Sequence, residues 1–270
     1  LIAPNVSNPY FAEFLRAFQH AADLHGYFVI FVDVNEDEDI EAEAIRRLRM
    51  QTDGIALCAP RSTTDALTHL IDPSTTVIFN REIEGAHCIT LDSSAALQQV
   101  IDDLASAGHS SFIYVPDASH AVGDQVRRRV CLELAEARSM TMIVDGTQAN
   151  DQDRATHAVS LAISSRTNAI LAHSDIVGMW ILHECHIRGI DVPGSMSVVG
   201  HDNIELVAAT SPPMSTIDAK IAEIASRMAR TLISSLESSD RSVPKTLEVV
   251  EAAYVGRSSI GPPAAVTANH

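Results

Sequence analysis

Ser197-Val198-Val199-Gly200-His201-Asp202 is the stretch from which the architecture of the chain is best read. A short run of buried-strand type passes through a glycine to a histidine and a carboxylate. Upstream of it, a helical pattern over 175–188 is stopped by Gly189. Helix, glycine turn and short strand form a unit that recurs in both directions. Apolar runs enriched in Val, Ile or Phe at 28–32, 54–58, 76–79, 88–91, 111–115, 140–144, 169–172, 197–199 and 247–254 read as strands. Helical patterns at 9–24, 40–50, 64–70, 94–107, 124–138, 151–165, 175–188 and 218–238 lie between most of them. This alternation predicts an α/β fold with parallel sheets covered by helices. The strand count is better accommodated by two sheets than by one open sheet, so two domains are expected. Helix ends are written clearly: Asn8-Pro9 places a capping side chain before a proline at the first position of a helix that Gly26 stops, and Gly108 stops another.

Composition narrows the class. The chain has 270 residues, a 46% hydrophobic and 20% charged composition and a formal net charge of −16. An acidic surface repels phosphate backbones, which makes the chain a poor nucleic-acid binder by itself. Cys58, Cys88, Cys131 and Cys185 are scattered without C-x-x-C spacing, against a disulfide scaffold or a zinc ribbon. No apolar run is long enough for a membrane span, and Leu1-Ile2-Ala3-Pro4 is no signal peptide. The chain opens at the edge of a strand without an initiator Met, so it is expected to be a piece of a longer protein.

Chemistry-bearing patterns are few. There is no Walker loop and no G-x-G-x-x-G. Gly108-His109-Ser110-Ser111-Phe112 matches a nucleophile elbow at two positions, lacks its closing glycine and precedes a strand, so a helix-to-strand turn is the better reading. His183 and His186 share a helix face at chelating spacing but are not H-E-x-x-H, and a polar helix face is expected. Arg127-Arg128-Arg129 on a helix points in three directions, so one or two of the three serve any single site. Glu36-Asp37-Glu38-Asp39 suits a solvated helix start.

Ile2-Ala3-Pro4-Asn5, Asn8-Pro9-Tyr10-Phe11, Gly26-Tyr27, Asp53-Gly54-Ile55, Gly108-His109, Asp191-Val192-Pro193 with 197–202, and Ser211-Pro212-Pro213-Met214-Ser215-Thr216-Ile217 follow one another along the chain. In that order and spacing they resemble the effector-binding core of the lactose-repressor/galactose-repressor (LacI/GalR) family of transcription regulators, over about 1–260. It implies a type I periplasmic-binding-protein-like fold: two Rossmann-like lobes with parallel sheets and a ligand cleft between them. The expected lobes are 1–93 with 217–241 and 94–216 with 244–260, followed by a disordered tail at 261–270.

The same resemblance implies ligand contacts from strand ends: an apolar wall from Tyr10 and Phe11, polar groups at Asn80 and Ser174, a donor fork at Arg127 and a hydroxyl acceptor at Asp202. Gln148 stands near the position where several members stack an aromatic ring, so a sugar suits the site better than a purine. Val130, Cys131, Ser174 and Trp180 also depart from the family's usual residues. The implied protein is no enzyme and needs no metal or cofactor. It is a cytoplasmic homodimer that answers to a small-molecule effector and meets operator DNA only through an N-terminal headpiece that nothing here resembles. A periplasmic or surface sugar-binding protein of the same fold is the alternative.

Overall fold

Local signals fix where the elements start and stop. Asn8 Oδ1 accepts the Tyr10 N–H at 3.0 Å, with Pro9 in the first helical position, so the chain turns into a helix directly after the first strand. Gly108 ends another helix in the left-handed conformation, where a side chain is disfavoured. The computed structural model describes residues 1–117, 121–238 and 246–263. In chain order its first elements are β1 (Ile2–Ala3), α1 (Pro9–Asp23), β2 (Val32–Asp33), α2 (Glu38–Leu48), β3 (Ile55–Cys58), α3 (Thr64–Leu70), β4 (Thr76–Phe79) and β5 (His87–Asp92). There follow α4 (Ser94–Ala107), β6 (Ser111–Val115), α5 (Val122–Ala137), β7 (Thr141–Val144), α6 (Asp151–Ser165), β8 (Ala169–Ala172), α7 (Asp175–Ile187) and β9 (Ser197–Val199). The chain closes with β10 (Thr216–Asp218), α8 (Ile221–Glu237), β11 (Leu247–Glu251) and β12 (Ala253–Val255).

The chain divides into two units, one of 1–92, 121–123 and 220–251 and one of 93–120, 124–219 and 252–270. The first is built on a parallel sheet in the order β11-β5-β4-β3-β1-β2. Its strands β3 and β4 are buried along their whole length, as a sheet covered on both faces requires. Helices α1 and α8 pack together in this unit, and Phe14 and Phe18 of α1 and Ile224, Met228 and Leu232 of α8 are buried. The second unit carries the parallel sheet β7-β6-β8-β9 and an antiparallel ribbon of β10 with β12.

Three expectations are corrected. The run 247–254 is two strands: β11 pairs in parallel with β5 in the first sheet, and after Ala252 β12 pairs antiparallel with β10. Residues 247–251 therefore belong to the first unit, and 217–219 to the second. The run 28–32 enters the sheet only at Val32–Asp33, which pair with Ile2 and Ala3 of β1; Phe28 is 89% exposed. Gly261–Pro263 is packed and not a loose tail: the Gly261 carbonyl accepts from His109 Nε2 at 2.9 Å and from Ser197 Oγ at 3.1 Å. The expected boundaries at 241 and 244 and the tail at 264–270 lie outside the described residues.

Candidate functional site

The second unit places a cluster of ionisable groups at the carboxyl ends of β6, β8 and β9, where open α/β sheets bind ligands. Tyr114, near the end of β6, donates its hydroxyl proton to Asp124 Oδ1 at 2.7 Å. One helical turn on from Asp124, Arg127 brings its Nη2 to 3.6 Å from the same carboxylate oxygen. The Arg127 Nη2 also donates to the His173 carbonyl at 3.4 Å, just past the end of β8. Its Nε is buried and has no partner. Arg128 and Arg129 are exposed, so one arginine of the run enters the cluster.

Asp202 follows β9 with a φ of +116°, a conformation that costs a non-glycine residue energy and is retained where surrounding structure demands it. Its Oδ1 lies 3.0 Å from His201 Nδ1, and His201 Nε2 lies 3.3 Å from Ser93 Oγ. Ser174 caps α7, with Oγ accepting the Val177 N–H at 3.4 Å. The neighbouring Asp175 is fully buried and accepts from Thr216 Oγ1 at 2.6 Å and from the Ile204 N–H at 2.9 Å. It anchors the segment after β9 and the start of β10.

The electrostatics follow from burial. Desolvation drives the Asp202 carboxyl well above the ordinary carboxylate range; Arg127 opposes this and Asp117 adds to it. Asp175 is raised in the same direction by burial and by the neighbouring charge of Asp202, against the hydrogen bonds it accepts. His173 is held neutral, its pKa pushed down to about 4 by burial. His201 is likewise depressed by burial and then by Arg127. Burial works against the charge of Arg127, but Tyr114, Asp124 and Asp202 more than offset it and raise its pKa. The result is a fixed cation beside a carboxyl that can both donate and accept, a pairing suited to hydroxyl groups.

The other expected residues are placed differently. In the first unit, Tyr10 and Phe11 are buried and meet edge to face, with ring centroids 4.9 Å apart. Asn80 follows β4 with φ +57°; its N–H donates to Ile89 and its Oδ1 accepts from the Leu91 N–H at 3.1 Å. Its side-chain oxygen thus serves the β4–β5 connection. In the second unit, Arg127, Ser174 and Asp202 fall in the cluster, whereas Gln148 is exposed on the β7–α6 connection. His183 and His186 are exposed on α7, and among the described residues no group of three or more His, Cys, Asp or Glu is placed to hold a metal ion. No helix among them is long and apolar enough to cross a membrane.

Sequence reading missed Tyr114, Asp124, His173 and His201 as members of this cluster. Asp124 had a signal, three residues before Arg127 on one helix. His173 immediately follows an apolar run, the same kind of strand end that pointed to Asp202.

Comparison with known proteins supplies context for this cluster. Residues 101–260 match the family described as the periplasmic binding protein-like domain. The chain is similar to catabolite control protein A of Priestia megaterium, 23% identical over 226 residues, which cover 80% of this chain and 68% of that protein. It is similar to the ribose operon repressor of Bacillus subtilis (strain 168), 22% identical over 259 residues, covering 95% of this chain and 78% of the repressor. Among solved structures, a LacI family transcriptional regulator from Enterococcus faecium with bound ribose superposes with a TM-score of 0.84 at 19% identity, over 97% of this chain and 98% of that one.

Proposed function

The chain belongs to the periplasmic binding protein-like domain family, in the form carried by LacI-type transcriptional regulators, and we propose that it binds a small sugar or sugar derivative as the effector-binding core of such a regulator. The observation that carries this reading is the half-buried Arg127 guanidinium beside the buried Asp202 carboxyl, at the carboxyl ends of the second unit's parallel strands. Arg127 supplies donors; Asp202 accepts from one hydroxyl and, while protonated, donates to another. Ser174 and the neutral His173 add short polar groups at an adjacent strand end. The ribose named for the Bacillus repressor and for the Enterococcus structure indicates the size and chemistry of ligand to try first.

In this reading the ligand favours one of two conformations, to the extent that it binds one more tightly than the other. The change is passed to a DNA-binding headpiece, which supplies the phosphate contacts that a chain of net charge −16 is ill suited to make. A two-fold operator requires a two-fold protein, so the regulator acts as a homodimer, in the cytoplasm where its DNA is.

The test is a thermal-shift screen against D-ribose, D-xylulose, D-glucose, nucleosides and amino acids, followed by calorimetry on the hit. A sugar hit is expected, weakened roughly 10- to 100-fold by Asp202→Ala, the loss of hydrogen bonds to a charged or ionisable partner. A nucleoside hit, or a sugar bound equally by the variant, would overturn the assignment.

A further inference from the structure

A second arginine, more deeply buried than Arg127, shares His173 with it. Arg154 lies in the first turn of α6, with its side chain 3% exposed. A cation there is opposed by the positive end of the helix dipole, so stability alone does not account for it. Its partners are weak: Asp151 Oδ1 at 3.3 Å from Nη1, on a residue whose side chain is about half exposed, and His173 Nδ1 at 3.5 Å from Nη2. Its Nε is buried without a partner, as is the Nε of Arg127. Both guanidinium groups meet at His173, Arg127 on its carbonyl oxygen and Arg154 on its ring. Because arginine only donates, His173 Nδ1 accepts, and the neutral ring carries its proton on Nε2 as a further donor. The Nε–H groups of both guanidiniums are left without a partner in this neighbourhood, which the Asp117 and Asp124 carboxylates also face.

We propose that Arg154 is a second cationic contact, beside Arg127, for the carboxylate of a sugar acid, so that the second unit selects an aldonic or uronic acid over the matching neutral sugar. The inference rests on the reading given under Proposed function and narrows its ligand class. A carboxylate matches the fork geometry of guanidinium groups. A single negative charge is also the most that the cluster takes, because Asp124 and Asp202 already offset part of Arg127 and Asp151 part of Arg154. A phosphoryl group brings nearly two charges to the same place.

Calorimetry on the intact chain would compare D-ribonate, D-gluconate, D-glucuronate and D-galacturonate with D-ribose, D-glucose and D-galactose, and D-ribose 5-phosphate as the doubly charged control. At least one acid is expected to bind about tenfold or more tightly than its neutral counterpart. Arg154→Gln should abolish that preference while changing neutral-sugar affinity by less than about threefold, and Arg154→Lys should retain part of it. Unliganded melting curves report whether each variant folds; should Arg154→Gln fail to fold, the Arg154→Lys comparison and the wild-type preference decide. Neutral sugars binding as tightly as their acids would overturn the inference and leave the sugar-binding reading intact. A preference for the phosphate would overturn the carboxylate assignment. Binding of none of these compounds would remove both readings.

Discussion

Thr216 Oγ1 donates to Asp175 Oδ1 at 2.6 Å, tying the first residue of α7 to the first residue of β10. The other oxygen of the same carboxyl accepts the Ile204 N–H at 2.9 Å. Asp175 therefore fastens three pieces of the second unit that are far apart in sequence. Asp175→Ala leaves a hydroxyl and a backbone N–H unpaired in a dry interior, each costing about 1–3 kcal/mol. A loss of about 2–5 kcal/mol in denaturant titrations is expected, and a loss under about 0.5 kcal/mol would show that the carboxyl is dispensable.

Two glycines test how firmly that carboxyl is held. A Cβ on Gly200 would collide with Asp175 Oδ1, whereas one on Gly178 would meet the Met214 side chain at 2.7 Å. Asp175 is fixed by its two hydrogen bonds, while a methionine side chain can be repacked. Gly200→Ala should cost about 3 kcal/mol and Gly178→Ala about 1 kcal/mol, read from the same chemical unfolding curves. The reverse order would mean that the segment carrying Gly200 yields more easily than Met214.

The pH dependence of stability has opposite contributions from the buried acids and the buried histidines. Asp202 and Asp175 hold their protons more tightly folded than unfolded, so their contribution is full below the ordinary carboxyl pKa of about 4 and fades as pH rises through their raised values. His173 and His201 hold protons less tightly folded; their contribution is full above the ordinary histidine value of about 6.5 and fades as pH falls toward their depressed pKa values. These four groups together give a melting temperature that declines on both sides of mildly acid to neutral pH. Asp202→Asn, which mimics the protonated carboxyl, should flatten the alkaline decline and leave the acid decline in place. An unchanged alkaline slope in that variant would mean that Asp202 is ionised in the folded protein at neutral pH.

The fold was legible because its signals are local. Strands β3, β4, β6 and β8 are short, mostly apolar and largely buried runs, and the expected and observed boundaries agree within a residue. The start of α1 was written in Asn8-Pro9. What local pattern could not show was which sheet a strand joins: nothing in the side chains of 247–254 marks Ala252 as the residue between two pairings. The site was partly legible for the same reason. Arg127 and Asp202 stand out by type and by position at element ends, but Arg154 looks like an ordinary surface residue of a polar helix start until the fold buries it against His173.

The edge strand offers a direct check on that pairing. In β11, Val249 is 53% exposed and Val250 is 5% exposed, with Val250 opposite Leu91 and Val249 opposite Thr90 of β5. A strand at the edge of a sheet with one face against helices buries alternate residues, and only those contribute much to stability. Val250→Ala should cost about 1.5–3 kcal/mol, the worth of a buried aliphatic side chain. Val249→Thr keeps the β-branch on the exposed face and should change stability by less than about 0.5 kcal/mol. Were the register shifted by one residue, the two costs would exchange, because every side chain of the strand would turn to the opposite face. Equilibrium unfolding of the two single variants distinguishes these outcomes, and a larger loss from Val249→Thr would refute the β11–β5 register.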